Sequence, residues 1–381
     1  MNTTHGWKKW SVIILLLIPT LTGITFVNLI PMFYNFRLSF TNADRLSHNG
    51  RDAAHAWQDV GLQNYQTLIA ELVTPAAVTS FAKLIIVLLP LVVVNIVARR
   101  MTRNKLVPPD TRMVWLGGVA ATIILWLVLN GGDALNVLTQ NSFFVVLLRS
   151  TLYVIFCMPF FLLVGLVLAL ILNNPDIRFK SFWRTLLIIP WAVPTFITAL
   201  IWQFFFRDAG TINLVFQSLN IQDPKSPIHW LSNPQLAFFA IVLVNIWMSY
   251  PFFMTIILGA LQSIPADMYE AAEVDGATWW ISLTRITIPM LRPAVLPAVV
   301  LSSITTFQMF NTVYLITQGG PVSGVGKPGA TDLVMTYAYS QTFKSGNYGY
   351  IGAFAVIIFV ILLGATLLSL RVTNVTRGAY E

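Results

Sequence analysis

Charge and cysteine are what this chain has least of. Only 10% of its 381 residues are Asp, Glu, Lys or Arg, against roughly 25% in soluble domains, which is too few to cover a water-facing surface. The single cysteine, Cys157, excludes an internal disulfide and a cysteine-built zinc or iron–sulfur site. His5, His48, His55 and His229 all fall outside the long apolar runs, which excludes a haem held between membrane helices. None of the 15 acidic residues lies in such a run either. Intramembrane carboxylates are the usual elements of proton relays, so their absence argues against a proton-driven pump; sodium coupling through backbone carbonyls stays open. The formal net charge of +8 is spread over loops, so it encodes topology and offers no nucleic-acid surface. What is present is apolar: 56% hydrophobic residues and a mean hydropathy of +0.72. The bilayer is the solvent.

A helix needs about 20 apolar residues to cross roughly 30 Å of hydrocarbon. Eight stretches qualify: 11–35, 76–98, 113–130, 143–172, 185–206, 236–262, 293–317 and 350–370. The first follows Lys8 and Lys9 as a secretory signal would, but it is too long and Phe26 to Tyr34 offers no small-residue cleavage site. Being apolar all round, the stretches do not reveal by periodicity which face packs. Orientation comes from Lys and Arg, which are retained in cytoplasmic loops. An amino terminus inside gives the cytoplasmic segments, with Arg99, Arg100, Arg103, Lys105 and Arg112, a roughly two-to-one excess of cations over external segments bearing Arg37, Arg45 and Arg51. The expectation is an all-α integral membrane protein with about eight transmembrane helices and both termini cytoplasmic. Lys83 and Arg149 lie near external span ends, where long side chains reach the headgroups. External segments 36–75, 207–235 and 318–349 have the length of small structured caps.

Two nucleotide-like patterns carry no chemistry. Gly324, Gly326 and Gly329 satisfy G-x-G-x-x-G, but that fingerprint needs a strand before it and a helix after it, and Lys327-Pro328 sits in a loop. Read as a phosphate loop, the tract has Pro328 in the Ser/Thr position and Pro321 in that of the first glycine. The chain is therefore expected to bind no nucleotide cofactor and not to be an enzyme. Cys157, in mid-span, reads as a small packed side chain.

The cytoplasmic segment 263–292 is longer than a connector needs. Pro265 suits the first turn of a helix, Ala266 to Val274 are good helix formers, and Met268, Ala271, Ala272 and Asp275 share a face by i, i+3, i+4, i+7 spacing. Gly276 breaks that helix, and a second helical stretch is predicted from Ala277 to about Ile286, ahead of Pro289. Two short helices at an angle make a knob. Asp267, Glu270, Glu273 and Asp275 outweigh Arg285 and Arg292, so a docking partner should present a basic-rimmed cleft. The other reading is a helix pair lying on lipid, but such helices usually carry Lys and Arg toward anionic headgroups.

These residues carry a resemblance. Ile264-Pro265, Tyr269-Glu270-Ala271-Ala272, Asp275-Gly276-Ala277, Ile286, Ile288-Pro289, Leu291 and Pro293 resemble the "EAA" loop of membrane subunits of binding-protein-dependent ABC importers, with Leu283 in place of a common phenylalanine. Thr317-Gln318-Gly319-Gly320-Pro321, then Thr331-Asp332-Leu333, Tyr337 to Tyr339 and Phe343, look like the external T-x-G-G-P signature of carbohydrate-importing members. Pro190-Trp191-Ala192-Val193-Pro194 within Arg184 to Ile201, and Asn245 to Pro251, are similar to the larger membrane subunit of maltose-type transporters. Gly61 to Tyr65 follows the G-L-x-N-Y pattern of the family's first external loop.

The resemblance implies a type I ABC importer permease fold with cytoplasmic coupling helices, in a bacterial or archaeal cytoplasmic membrane. It divides the chain into a tail and first span at 1–35, an external loop at 36–75, an extra two-span hairpin at 76–142, a five-span permease core at 143–372 and a tail at 373–381. Segment 131–142 leaves no room for the large external domain of some maltose-type subunits. The implied function is ATP-driven import of a maltose- or oligosaccharide-like carbohydrate. The implied partners are a second permease subunit, a homodimeric ATPase carrying the ATP and Mg, and an external solute-binding protein. The implied coupling residues are Glu270, Ala271, Ala272, Asp275, Gly276 and Ala277. For the substrate pathway, Asn245, Ser249 and Phe252 share one helix face, and Ser302, Thr305, Thr306 and Met309 share another. Phe252 stands where a tyrosine is usual, and Thr306 and Met309 where asparagines are, which implies a site less polar than a maltose site. No metal site is expected. The rival from another class, a secondary carrier or channel independent of an ATPase, has no use for a docking knob.

Overall fold

The computed structural model describes residues 4–45, 56–72, 74–102, 111–322, 324 and 327–373. The loop part 46–55, the turn 103–110 of the predicted hairpin, Gly326 and the tail from 374 lie outside them. The described residues form helices and no strands. In chain order the helices are α1 (Thr4–Ile24), α2 (Ile30–Leu38), α3 (Gln63–Leu72), α4 (Pro75–Thr102), α5 (Arg112–Val128) and α6 (Gly131–Leu138). Next come α7 (Ser142–Asn173), α8 (Lys180–Ala192), α9 (Thr195–Phe205), α10 (Thr211–Ser218), α11 (Pro234–Gln262) and α12 (Asp267–Val274). The last are α13 (Trp279–Ser282), α14 (Ile288–Phe307), α15 (Asn311–Thr317), α16 (Val334–Ser340) and α17 (Tyr348–Thr373).

Among the described residues six helices are long and apolar enough to cross a membrane, and two bent pairs raise the number to eight if each pair is one span. All eight coincide with the predicted stretches, with two differences of shape. The stretch at 113–130 turns by 69° into α6, and the one at 185–206 is broken by 87° between α8 and α9. The second break has a local cause. Pro194 offers no amide, and the residue before a proline is pushed out of the helical region; Val193 accordingly sits at φ −76°, ψ 135°.

Internal contacts divide the chain into two units, residues 1–70 with 338–363 and residues 71–337 with 364–381. In the smaller unit the end of α2 is held by side chains of the G-L-x-N-Y segment. Gly61 adopts φ +57°, Asn64 Nδ2 donates to the carbonyls of Ser39 (2.9 Å) and Thr41 (2.8 Å), and the Tyr65 hydroxyl lies 2.6 Å from Ser39 Oγ. That segment is thus a structural clasp for carbonyls that a helix end leaves without partners. Arg37 pairs with Asp59 at 2.5 Å.

The larger unit is built on the pair α7 and α11. Asn141 caps α7 by accepting from Phe144 N (2.8 Å), and Asn233 caps α11 by accepting from Gln235 N and Leu236 N, with Pro234 in the first turn. Lipid is as apolar as leucine, so helices in a membrane associate by close packing of small residues. Gly165 does this here: a Cβ added to it would lie 2.8 Å from Phe253 Cβ and 2.9 Å from Met254 N. Tyr153, Cys157, Phe161, Ile241, Phe253 and Met254 fill the seam. Tyr153 donates to the carbonyl of Ile241 (3.3 Å), and Tyr250 to that of Leu187 on α8 (3.1 Å).

Candidate functional site: a cavity and a knob on one helix

The predicted pathway residues separate into three groups. Ser249, Phe252, Ser302 and Thr305 line one cavity of about 250 Å3, together with Trp191 and Leu301. Three elements meet there: the end of α8 just before its break, the middle of α11, and the second half of α14. Asn245 is in a different place. It is 1% exposed and sits behind the wall, donating to Cys157 Sγ (3.6 Å) and accepting from Ser249 Oγ (3.3 Å). Thr306 is buried and Met309 packs against the core, so neither lines the cavity. In α14 residues 305 and 306 differ by about 100° around the axis, and only Thr305 turns to the cavity.

The cavity offers aromatic faces and hydroxyls but no ionisable group. Trp191 and Phe252 have ring centroids 6.3 Å apart at 42°. Thr305 Oγ1 donates back to the carbonyl of Ser302 (3.0 Å), as hydroxyls inside helices often do, which leaves its lone pairs as acceptors. Ser249, tied to Asn245, and Ser302 are the other polar groups. Such a lining suits a neutral ligand with an apolar face and hydroxyl edges, and it has no group for acid–base chemistry. Trp191 and Leu301 were absent from the predicted set. The signal for Trp191 was its position just ahead of Val193-Pro194, a place where a helix can open.

The predicted knob is present and exposed. In α12, Asp267 and Glu270 lie in the first turn, where acid complements the helix dipole. Its end is closed by Gly276 at φ +74°, with Ala277 N donating to the carbonyl of Ala272 (2.8 Å) and Gly276 N to that of Glu273 (2.9 Å); this is the glycine-terminated helix end that needs the left-handed region. Thr278 then caps α13. The predicted second helix does not stop before Pro289. It passes through a π-helical turn, Leu283–Thr287, into α14, with Ile288 N donating to the carbonyl of Leu283. Pro289 falls in the first turn of α14, where its missing amide is tolerated. The Tyr269 hydroxyl, 3.0 Å from Thr287 Oγ1, ties α12 to this turn. Knob and cavity are thus two ends of a continuous helix. Val274, Trp279 and Trp280 are the most exposed of the large apolar groups on the knob.

A third cluster corrects the expectation for Arg149. Its guanidinium donates to the carbonyl of Gly329 instead of reaching outward, and Ser150 Oγ accepts from Val334 N (2.9 Å). The loop after Thr317 is laced to match. Thr331 Oγ1 lies 2.6 Å from Thr317 Oγ1 and donates to the carbonyl of Gly320 (2.6 Å), and Gly329 N donates to Asp332 Oδ2 (2.8 Å). Gly319, at φ +83°, faces Asp332 with no room for a side chain. The T-x-G-G-P segment is part of a hydrogen-bonded strap held against the amino-terminal part of α7. Among the described residues no group of three or more His, Cys, Asp or Glu could hold a metal ion.

Residues 161–378 match the family described as "Binding-protein-dependent transport system inner membrane component". The chain belongs to that family. Within it, the chain is 34% identical over 239 residues to the galactooligosaccharides transport system permease protein GanP of Bacillus subtilis (strain 168), which covers 62% of this chain and 56% of that protein. It is 34% identical over 245 residues to the maltose/maltodextrin transport system permease protein MalF of Vibrio vulnificus (strain YJ016), covering 63% and 46%. The chain spans about half the length of these curated relatives. A crystal structure of a bacterial ABC transporter involved in import of the acidic polysaccharide alginate shares the fold over 97% of both chains, with a TM-score of 0.58 and 17% identity. The family places the chain among multi-pass membrane permeases, and its match runs from residue 161, within α7, through α17.

Proposed function

We propose that this permease is the translocating membrane subunit of an ATP-driven importer of a neutral oligosaccharide. It works with a second permease subunit, two copies of an ATPase that hold the ATP and Mg, and an external solute-binding protein. It lies in the cytoplasmic membrane with both termini and the knob inside. One observation carries the reading: α13, the second helix of the exposed knob, runs without a break through the π-helical turn into α14, whose second half supplies Ser302 and Thr305 to the cavity, and the acidic α12 is tied to that turn by Tyr269.

The mechanism follows from that continuity. Trp279 and Ser302 are 23 residues apart, roughly 35 Å of helix at 1.5 Å per residue. Movement of the ATPase pair displaces α12 and α13 and, through α14, shifts Ser302 and Thr305 against Ser249 and Phe252 on α11. The broken pair α8 and α9 closes the third side with Trp191. Glu270, Ala271, Ala272, Asp275, Gly276 and Ala277 form the contact: small residues allow close approach, the acids meet a basic cleft rim, and Gly276 sets the angle. Moving a two-state cavity from 1:99 to 99:1 takes about 5.5 kcal/mol, which nucleotide binding and hydrolysis supply on the partner. Support for an oligosaccharide comes from the uncharged aromatic and hydroxyl lining and from the names of the relatives; the lining is less polar than a maltose site implies. The test is uptake by proteoliposomes holding this chain and its partners, with oligosaccharide-loaded binding protein outside. Uptake should require the ATPase and enclosed ATP. Equal uptake with the ATPase omitted would move the chain to the secondary carriers.

A further inference from the structure

A second concavity, of about 190 Å3, lies on α14 away from the substrate cavity. Leu162 and Leu166 of α7, Ile257 of α11, and Val295 and Leu296 of α14 wall it, and Arg292 stands on it as the one charged group. The groove lies along the first half of α14, from Ile288 to Leu296, and the cavity along the second, from Leu301 to Thr305. Leu296 is part-exposed at 38%, so the groove opens outward in a segment apolar enough to span a membrane.

The chemistry of the groove selects its occupant. Its walls are hydrocarbon, and its single cation makes no ion pair among the described residues. The helices that build it, α7, α11 and α14, contain no Asp or Glu to neutralise that cation. A guanidinium in this position extends to headgroup level, where its planar fork matches two phosphate oxygens. A zwitterionic lipid brings its own cation beside Arg292, whereas an anionic one leaves the attraction uncompensated. We infer that the groove holds one anionic phospholipid, with its phosphate on Arg292 and an acyl chain between α7 and α14. Because Arg292 lies one turn beyond the π-helical end of the knob, this lipid packs directly on the lever described above; only that consequence rests on the proposed function, and the binding itself does not.

Native mass spectrometry of the purified full chain with its bound subunits, delipidated and then titrated with phosphatidylglycerol or phosphatidylcholine, tests the site. One phosphatidylglycerol should stay bound under activation that strips phosphatidylcholine. Arg292→Gln should cut its retention about tenfold, as loss of a charge-assisted hydrogen-bond pair does, while Arg285→Gln leaves it unchanged. Leu296→Trp, which fills the groove without touching the cation, should lower retention independently. Equal retention of the two lipids, no effect of Arg292→Gln and Leu296→Trp, or displacement of the lipid by millimolar inorganic phosphate alone would overturn the assignment.

Discussion

Gly276 permits a substitution series whose cost can be worked out before measurement. A Cβ added at this position meets nothing within 4 Å, so steric clash contributes nothing and the backbone angle alone decides. At φ +74° an ordinary L-residue pays roughly 1–2 kcal/mol, asparagine pays less because its short polar side chain tolerates the left-handed region, and a β-branched residue pays most. The expected order of knob closure is Gly, Asn, Ala, Val. Gly276→Ala costs about 1 kcal/mol, near a fivefold shift against the closed turn, and Gly276→Val costs about 2 kcal/mol or more, over twentyfold. What is lost is the bond from Ala277 N to the Ala272 carbonyl and the angle between α12 and α13. The assay is ATP hydrolysis by the reconstituted complex with loaded binding protein, alongside the amount of chain inserted. Insertion should be constant while stimulated hydrolysis falls in that order. Full stimulation in Gly276→Val would refute the claim that the turn sets the docking geometry.

Three further outcomes follow from the packing. Asn245→Leu with Ser302→Leu should abolish uptake while stimulated hydrolysis persists; Asn245→Leu alone should act indirectly, by freeing Ser249 and leaving Cys157 without its donor, and surviving uptake in the double variant would move the pocket elsewhere. Gly165→Ala should lower thermal stability by about 1–3 kcal/mol, the usual cost of overpacking, because the new methyl meets backbone of α11; an unchanged unfolding midpoint in detergent would contradict the close approach. Arg37 holds the Asp59 carboxyl below the usual carboxylate range, chiefly through its hydrogen bond. The stability this contributes is complete above the unfolded-state value and is lost as pH falls through the depressed folded one. The advantage of the wild type over Asp59→Asn in thermal midpoint should therefore shrink only on strong acidification, and a gap that closes near neutral pH would be inconsistent with the pair.

The membrane helices were legible because crossing hydrocarbon demands length and apolarity, and both are visible in a sequence without knowledge of packing. The knob was legible for a related reason: Gly276 interrupts a run of helix formers between charges, and its effect is local. The bends were not. Pro159, Pro190 and Pro251 sit inside continuous helices, while Pro194 ends one, so a proline marks a place for a break without deciding that it occurs. The cavity was half legible. In spans apolar all round, a small polar residue signals an inward face but does not say which, and this separates Thr305 from Thr306 and puts Asn245 behind the wall that Ser249 forms. The role of Arg149 was hidden by distance, since its acceptor, the Gly329 carbonyl, is 180 residues away in the chain.

The most direct test of coupling between knob and cavity is a spin-label distance across the cavity, between its lining positions Leu301→Cys and Trp191→Cys in a Cys157→Ser background, in the complex with its ATPase. Both positions are exposed, and a third label at Val274→Cys on the knob, paired with Leu301→Cys, reports on the lever itself. ATP binding should change the Leu301–Trp191 distance while the Val274–Leu301 distance holds. An unchanged cavity distance with ATP bound, or a knob that moves relative to α14 while the cavity stays still, would contradict the account.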